Sequence, residues 1–184
     1  MGFVPNQTEA PVIETKRLRL RPHTVEDFDA CVAMWSDPIV AQYTIGEPAP
    51  PPRTWARILA YRGHWALLGF GYWAVEEKST GRFIGELGFA EHKRDMQPSI
   101  DGMPEIGWVL ITEATGKGYA TEALRAVVVW GDVHFGSART ACIIREENLA
   151  SFRIAEKLGY AGLFTTSKDG VSARVLVRSG SRAD

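Results

Sequence analysis

The 184-residue sequence is poor in cysteine, has no surplus of charge of either sign and holds no long apolar run. Its two cysteines, Cys31 and Cys142, stand far apart in apolar contexts without a C-x-x-C, which argues against a disulfide. Both read as small core residues of a reducing compartment. A net charge of −1 argues against nucleic acid as a partner, because neutralising phosphates takes a basic surface. The most apolar stretch, residues 65–75, is too short to span a bilayer, so no membrane is expected. The opening residues lack the charged-then-apolar order of a signal peptide. Neither His64 nor His134 has a ligand partner at metal spacing, so no metal is expected. The common phosphate fingerprints are missing too: Lys117 is followed by Gly118, which breaks G-x-x-x-x-G-K-[ST], and no three-glycine dinucleotide pattern occurs. These absences leave a cytoplasmic globular protein. The expected organisation is a loose leader over 1–12, one domain over 13–178 and a frayed end at 179–184.

What is present centres on residues 104–135. Residues 104–111 are short and apolar apart from Glu105, as suits a strand covered on both faces. Gly116, Lys117 and Gly118 follow, and a largely apolar helix begins at Tyr119. A strand that feeds a helix through glycines presents free backbone N–H groups at the helix start, aided by the helix dipole. Without Cβ atoms in the way, an anion can approach that backbone closely. A second helix spans residues 148–160, with Asn148 as its cap and Gly159 as its stop.

The rest of the chain fills in around this unit. Residues 16–22 alternate arginine with leucine, an edge strand showing charge. Thr24, with Asp27 three residues on, caps a helix that buries Phe28, Cys31, Val32 and Trp35 and ends at Asp37-Pro38. Residues 46–52 form a stiff loop. A helix over 53–68 places Trp55, Ile58, Leu59, Arg62 and Trp65 at helical spacing. Residues 71–76 and 83–90 form a hairpin, residues 92–102 a loop, and residues 139–145 an interior strand. A second hairpin, 160–166 with 173–178, closes the chain. The fold class is therefore α/β, with a mixed, mostly antiparallel sheet of about seven strands and helices on both faces.

Taken together, T-G-K-G-Y-A-T-E-A-L from Thr115 and N-L-A-S-F-R-I-A-E-K-L-G-Y from Asn148 resemble the GCN5-related N-acetyltransferase (GNAT) family. T-K-R-L-R-L-R-P from Thr15 and E-I-G-W from Glu105 are similar to its ribosomal-protein N-acetyltransferase (RimJ/RimL-type) branch. The resemblance implies the GNAT fold, with the central strand and the one after its helix splayed to admit a cofactor arm. It also implies acetyl-CoA as cosubstrate and a primary amine as acceptor, either a protein N-terminus or a small molecule. The cofactor-binding residues it implies are Val109, Leu110, Ile111, Gly116, Lys117, Gly118, Tyr119, Ala120, Thr121 and Asn148. Thr115 stands where the family has Arg or Gln, which leaves the backbone cradle untouched.

Acetyl transfer to an amine needs a neutral amine, a donor for the carbonyl oxygen and a tolerable leaving thiolate. A backbone N–H near Val109 or Leu110 is the expected donor. Glu105 and Glu86 are candidate bases, since each opens or interrupts an otherwise apolar strand, and bulk water with no dedicated base is the third alternative. The family's usual tyrosine acid falls at Ala155; Ser151 matches the serine that the resemblance to the ribosomal-protein branch implies in that role, and reads as a hydrogen-bond donor to sulfur or a water relay. A non-catalytic acyl-CoA-binding module is the rival reading, and a purely structural domain a third. A monomer and a homodimer are equally compatible with these residues.

Overall fold

The computed structural model describes residues 8–136, 138–168 and 170–180. Its strands are β1 (Ile13–Glu14), β2 (Leu18–Arg21), β3 (Tyr72–Glu77), β4 (Arg82–Ala90), β5 (Glu105–Leu110), β6 (Arg139–Arg145), β7 (Ala161–Lys168) and β8 (Val171–Ser179). They form one eight-stranded sheet in the order β1-β2-β3-β4-β5-β6-β8-β7. All neighbours are antiparallel except β5 and β6. The helices are α1 (Phe28–Ser36), α2 (Pro38–Tyr43), α3 (Pro51–Leu68), α4 (Tyr119–Phe135) and α5 (Leu149–Lys157).

Strand alternation divides the core between two faces. In β3, Trp73 and Val75 join a cluster with Leu124, Val127 and Phe135 of α4, whereas Ala74 packs with Cys31 and Trp35 of α1 and Ile58 of α3. One extra residue in β4 then reverses the alternation: Val75 faces Gly85, but Glu76 faces Phe83. The bulge turns the Glu86 side chain to the α1 and α3 face.

Several local expectations change. The sheet has an eighth strand, because β1 pairs outside β2, so β2 is not an edge. Its arginines are ion-paired instead: Arg19 with Glu14 at 2.8 Å and Arg21 with Asp27 at 2.7 Å. α1 ends at Asp37 as expected, but a further helix starts there: the Asp37 carboxylate accepts from the Ile39 N–H at 2.8 Å and caps α2, with Pro38 in the first turn. Pro51 and Pro52 belong to α3 for the same reason, since a first turn has no use for their missing N–H groups. The buried stripe of α3 is Thr54, Ile58, Tyr61 and Trp65, while Trp55 and Leu59 are exposed. Of the leader, residues 1–7 lie outside the described residues; Ala10 is buried in the core and the Pro11 carbonyl accepts from Trp73 Nε1 at 2.7 Å. At the other end Ser179 still pairs with Arg139, and residues 181–184 lie outside the described ones.

The feature that positions the site is the one parallel junction. β5 and β6 pair at a single position, Glu105 with Ala141, where the Ala141 N–H reaches the Pro104 carbonyl at 3.0 Å. Along its other edge β6 is paired with β8 from Arg139 to Arg145. The sheet is therefore closed everywhere except between β5 and β6 beyond that point.

Candidate active site

Where β5 and β6 part, a cleft opens between Gly107, Trp108 and Val109 on one side and Ile143, Ile144 and Arg145 on the other. Two hydrogen bonds fix which β5 amides face it. The Ile111 N–H donates to the Ile84 carbonyl on β4, and the Pro104 carbonyl accepts from β6, both at 3.0 Å. Successive amides of a strand turn to opposite edges. The N–H groups of Trp108 and Leu110 thus point into the cleft, and those of Val109 and Ile111 point to β4.

At the end of β5 a single 3₁₀ turn, Thr112–Ala114, leads into the glycine segment. Gly116 and Gly118 have φ of 73° and 78°, a region that side chains with a Cβ avoid. A Cβ on Gly116 would meet nothing within 4 Å, and one on Gly118 only the Arg17 guanidinium at 3.6 Å. These glycines serve the backbone path and leave open room over the start of α4; they fill no packing role. Gly118 is the N-cap of α4, so the first amides of that helix lack partners within it. Lys117 is exposed, and Tyr119, Ala120 and Thr121 are half-buried along the first turn.

Arg17 clamps this segment. Its Nη1 donates to the Lys117 carbonyl at 3.0 Å, its Nε to Glu122 at 2.7 Å, and its guanidinium lies 4.4 Å from the Tyr119 ring centre. Glu122 also accepts from the Arg17 N–H at 2.8 Å and from Thr15 Oγ1 at 2.7 Å. Burial alone would raise the Glu122 carboxyl; the Thr15 hydroxyl and the Arg17 donors hold it below the usual range. Sequence reasoning missed this pair because its members are 105 positions apart.

On the far side of the cleft, Asn148 caps α5 by accepting from the Ser151 N–H at 3.1 Å. Asn148 and Ser151 both line the cleft, and Ala155 is buried behind them.

The wall toward α1 and α3 carries the ionisable groups. Glu105 is 8% exposed and both its oxygens are held by Arg94, at 2.6 and 2.7 Å. The hydrogen bonds to Glu105 raise the Arg94 pKa, which keeps the guanidinium charged. Tyr72 brings its hydroxyl against β5: a Cβ on Gly107 would lie 2.0 Å from it, so only glycine fits there. Tyr61 stacks on Tyr72 with ring centres 4.6 Å apart, and burial pushes both phenols up, leaving them protonated at neutral pH.

Glu86 takes a different place. It is fully buried and does not line the cleft; it accepts from Trp35 Nε1 at 3.0 Å and from the Tyr61 hydroxyl. It reaches the cleft only through those two side chains. His23, Cys31 and Glu86 offer ligand-type atoms within 4.8 Å of one another. Trp35 and Tyr61 both donate to Oε1 of Glu86, while Oε2 accepts from the Cys31 thiol at 3.8 Å and lies 3.4 Å from His23 Nε2; burial reinforced by the Glu86 charge pushes that thiol up, away from the thiolate a metal needs. These residues fit a hydrogen-bonded cluster better than a metal site. Tyr61, Tyr72, Arg57 and Arg94 are among the cleft residues that the sequence reading did not single out. The phase of α3, had it been set on Thr54, Ile58 and Trp65, would have found Tyr61.

A mixed sheet opened at its one parallel junction, with a glycine turn below the opening, is the architecture of an acyltransferase. The chain belongs to the GNAT acetyltransferase family: the acetyltransferase (GNAT) domain model matches residues 17–161. It is 27% identical over 179 residues to the uncharacterized N-acetyltransferase YoaA of Bacillus subtilis, covering 95% of this chain and 93% of that one. A GNAT-family acetyltransferase structure from Bordetella pertussis superposes with a TM-score of 0.82 at 30% identity, over 92% of this chain and 99% of that one. A Salmonella typhimurium acetyltransferase described as modifying the N-terminal serine of ribosomal protein L7/L12 shares the fold, with a TM-score of 0.73 at 16% identity over 92% and 99% of the two chains. The family implies acetyl-CoA as cosubstrate and an amine as acceptor. Among the described residues, no helix is long and apolar enough to cross a membrane.

Proposed function

We propose that the β5–β6 cleft transfers an acetyl group from acetyl-CoA to a primary amine, a protein N-terminus or a small molecule, as in the ribosomal-protein branch. The observation that carries this reading is the opened parallel junction directly above the glycine segment. The segment fits a pyrophosphate: its amides lie at the start of α4, and the space a Cβ would fill at Gly116 is open. Backbone N–H groups of residues 116–120 hold the phosphates, with Lys117 adding charge. Val109 to Ile111 and Thr121 line the bound arm, and Asn148 steadies it from α5.

The thioester supplies an activated acetyl group, and the chain supplies the rest. The Leu110 N–H, directed into the cleft, donates to the carbonyl oxygen as it gains charge; of the two amides expected for this role, it is the one that β4 does not claim. Glu105, held in place by Arg94, accepts the amine proton through one water. Ser151 donates a hydrogen bond to the departing sulfur. Release of CoA thiol from acetyl-CoA across a panel of amines tests the reading. The expected result is amine-dependent thiol release with mass gain on the amine. Tight acetyl-CoA binding with no turnover on any amine would instead establish a non-catalytic acyl-CoA module.

A further inference from the structure

Of the arginines that line the cleft, the exposed Arg94 and the half-buried Arg57 differ in their situations. Arg94 is neutralised within the fold by Glu105. Arg57, on α3, is not: among the described residues no carboxylate oxygen lies within 4.0 Å of it. Its guanidinium is stacked 3.8 Å above the Trp35 ring, and its Nε is buried without a hydrogen-bond partner. Stacking fixes the plane of the group, and burial strips part of its water, so its charge is poorly compensated. Trp35, Tyr61 and Tyr72, which surround it, also line the cleft. A second cleft arginine, Arg145 at the end of β6, likewise has no carboxylate within 4.0 Å among the described residues. Its Nη2 lies 3.0 Å from where a Cβ on Gly46 would stand, so it faces the loop after α2. Arg53, one turn before Arg57, has only a loose contact with the exposed Glu47, at 3.7 Å.

An uncompensated, preoriented guanidinium in a cleft is suited to an anion that arrives with a ligand, and a planar fork is best matched by a carboxylate. The phosphates of the cosubstrate have their own cradle on the opposite side, at the start of α4. Resting on the acetyl-transfer reading above, we propose that the acceptor is a small amine bearing a carboxylate a few bonds from its amino group, with Arg57 holding that carboxylate and Arg145 reinforcing it. Tyr72, one ring beyond Tyr61 from α3, measures the span: its hydroxyl touches Gly107 on β5, so an anion at Arg57 leaves the amine room to reach that strand.

Amino acids and short free-acid peptides, each paired with its carboxamide, provide the test, read as acetylation and as equilibrium binding to the CoA complex. The wild-type protein is expected to favour the acid over its amide by at least about tenfold in kcat/KM. Arg57→Gln, which removes the charge and ends in a planar amide on a shorter stem, is expected to bring that ratio near one while acetyl-CoA affinity is unchanged; Arg57→Lys is expected to keep part of it. Equal use of acids and amides by the wild type overturns the proposal, as does a preference that survives Arg57→Gln. Carboxylates that bind the CoA complex in an Arg57-dependent way without being acetylated would support the anion site and defeat the transfer reading. Acetylation of uncharged amines alone would do the reverse.

Discussion

At the scale of single residues, two substitutions separate backbone from side-chain work in the glycine segment. Gly118 holds φ 78°, and a branched residue there is strained and also intrudes on the room above α4. Lys117 is exposed and contributes a screened charge. Gly118→Val is therefore expected to weaken acetyl-CoA binding far more than Lys117→Ala, measured by calorimetry; equal losses would assign the phosphates to charge and not to the backbone. Glu105→Gln tests the proposed base while keeping size and hydrogen-bonding reach. It is expected to lower turnover by roughly 10²–10⁴-fold, most at low pH, where the amine is protonated, and less as free amine accumulates. A uniform loss with a lower melting temperature would make Glu105 the structural partner of Arg94. The glycines were legible in the sequence because a turn before a helix is a local event. The Arg94 pairing was not, because nothing in an isolated loop residue says which carboxylate it will find.

At the scale of elements, the strands and helices α4 and α5 were legible from periodicity, and α3 shows where periodicity runs out. Trp55 and Leu59 look like the buried stripe because they are apolar, yet the stripe lies one position away and includes Thr54 and Tyr61. Tyr61 is inside because its hydroxyl donates to buried Glu86, a partner on β4 that exists only after a bulge has turned that side chain around. Phase can be checked directly. Ile58→Ala is expected to destabilise the protein by about 2–5 kcal/mol and Leu59→Ala by less than about 0.5 kcal/mol in denaturant unfolding. Similar costs at the two positions would contradict the observed face. Tyr61→Phe removes one donor from a carboxylate that has no access to water, and about 1–3 kcal/mol is expected to be lost with it.

At the scale of the whole molecule, both faces of the sheet are fastened to one strand by carboxylates. Arg21 of β2 grips Asp27 at the entrance to α1, at 2.7 and 2.8 Å, and Arg17, just before β2, grips Glu122 of α4. Burial would raise both carboxyls, but the Arg21 guanidinium and the Thr24 N–H hold Asp27 low, as the Thr15 and Arg17 donors do Glu122. A carboxyl with a depressed folded pKa adds stability in full above its unfolded value, near 4, and loses it as pH falls through the folded value. Stability is thus expected to be level from neutral pH down to about 5 and to fall below that as these carboxylates protonate. Asp27→Asn and Glu122→Gln should each lower the melting temperature at pH 7 and flatten the acid limb, and the pair together should flatten it further. The two differ in one respect that ties the fold to the site. Glu122 orients Arg17 over the Lys117 carbonyl, so Glu122→Gln is expected to weaken acetyl-CoA binding at pH 7 as well, whereas Asp27→Asn leaves it alone. Acetyl-CoA, bound to the folded state only, should raise the melting temperature of the wild-type protein by mass action, and by less in Glu122→Gln. An acid limb that keeps its slope in the double variant would place the acid-sensitive contacts elsewhere. Equal cofactor shifts in the two single variants would show that the glycine segment holds its shape without the Arg17 clamp.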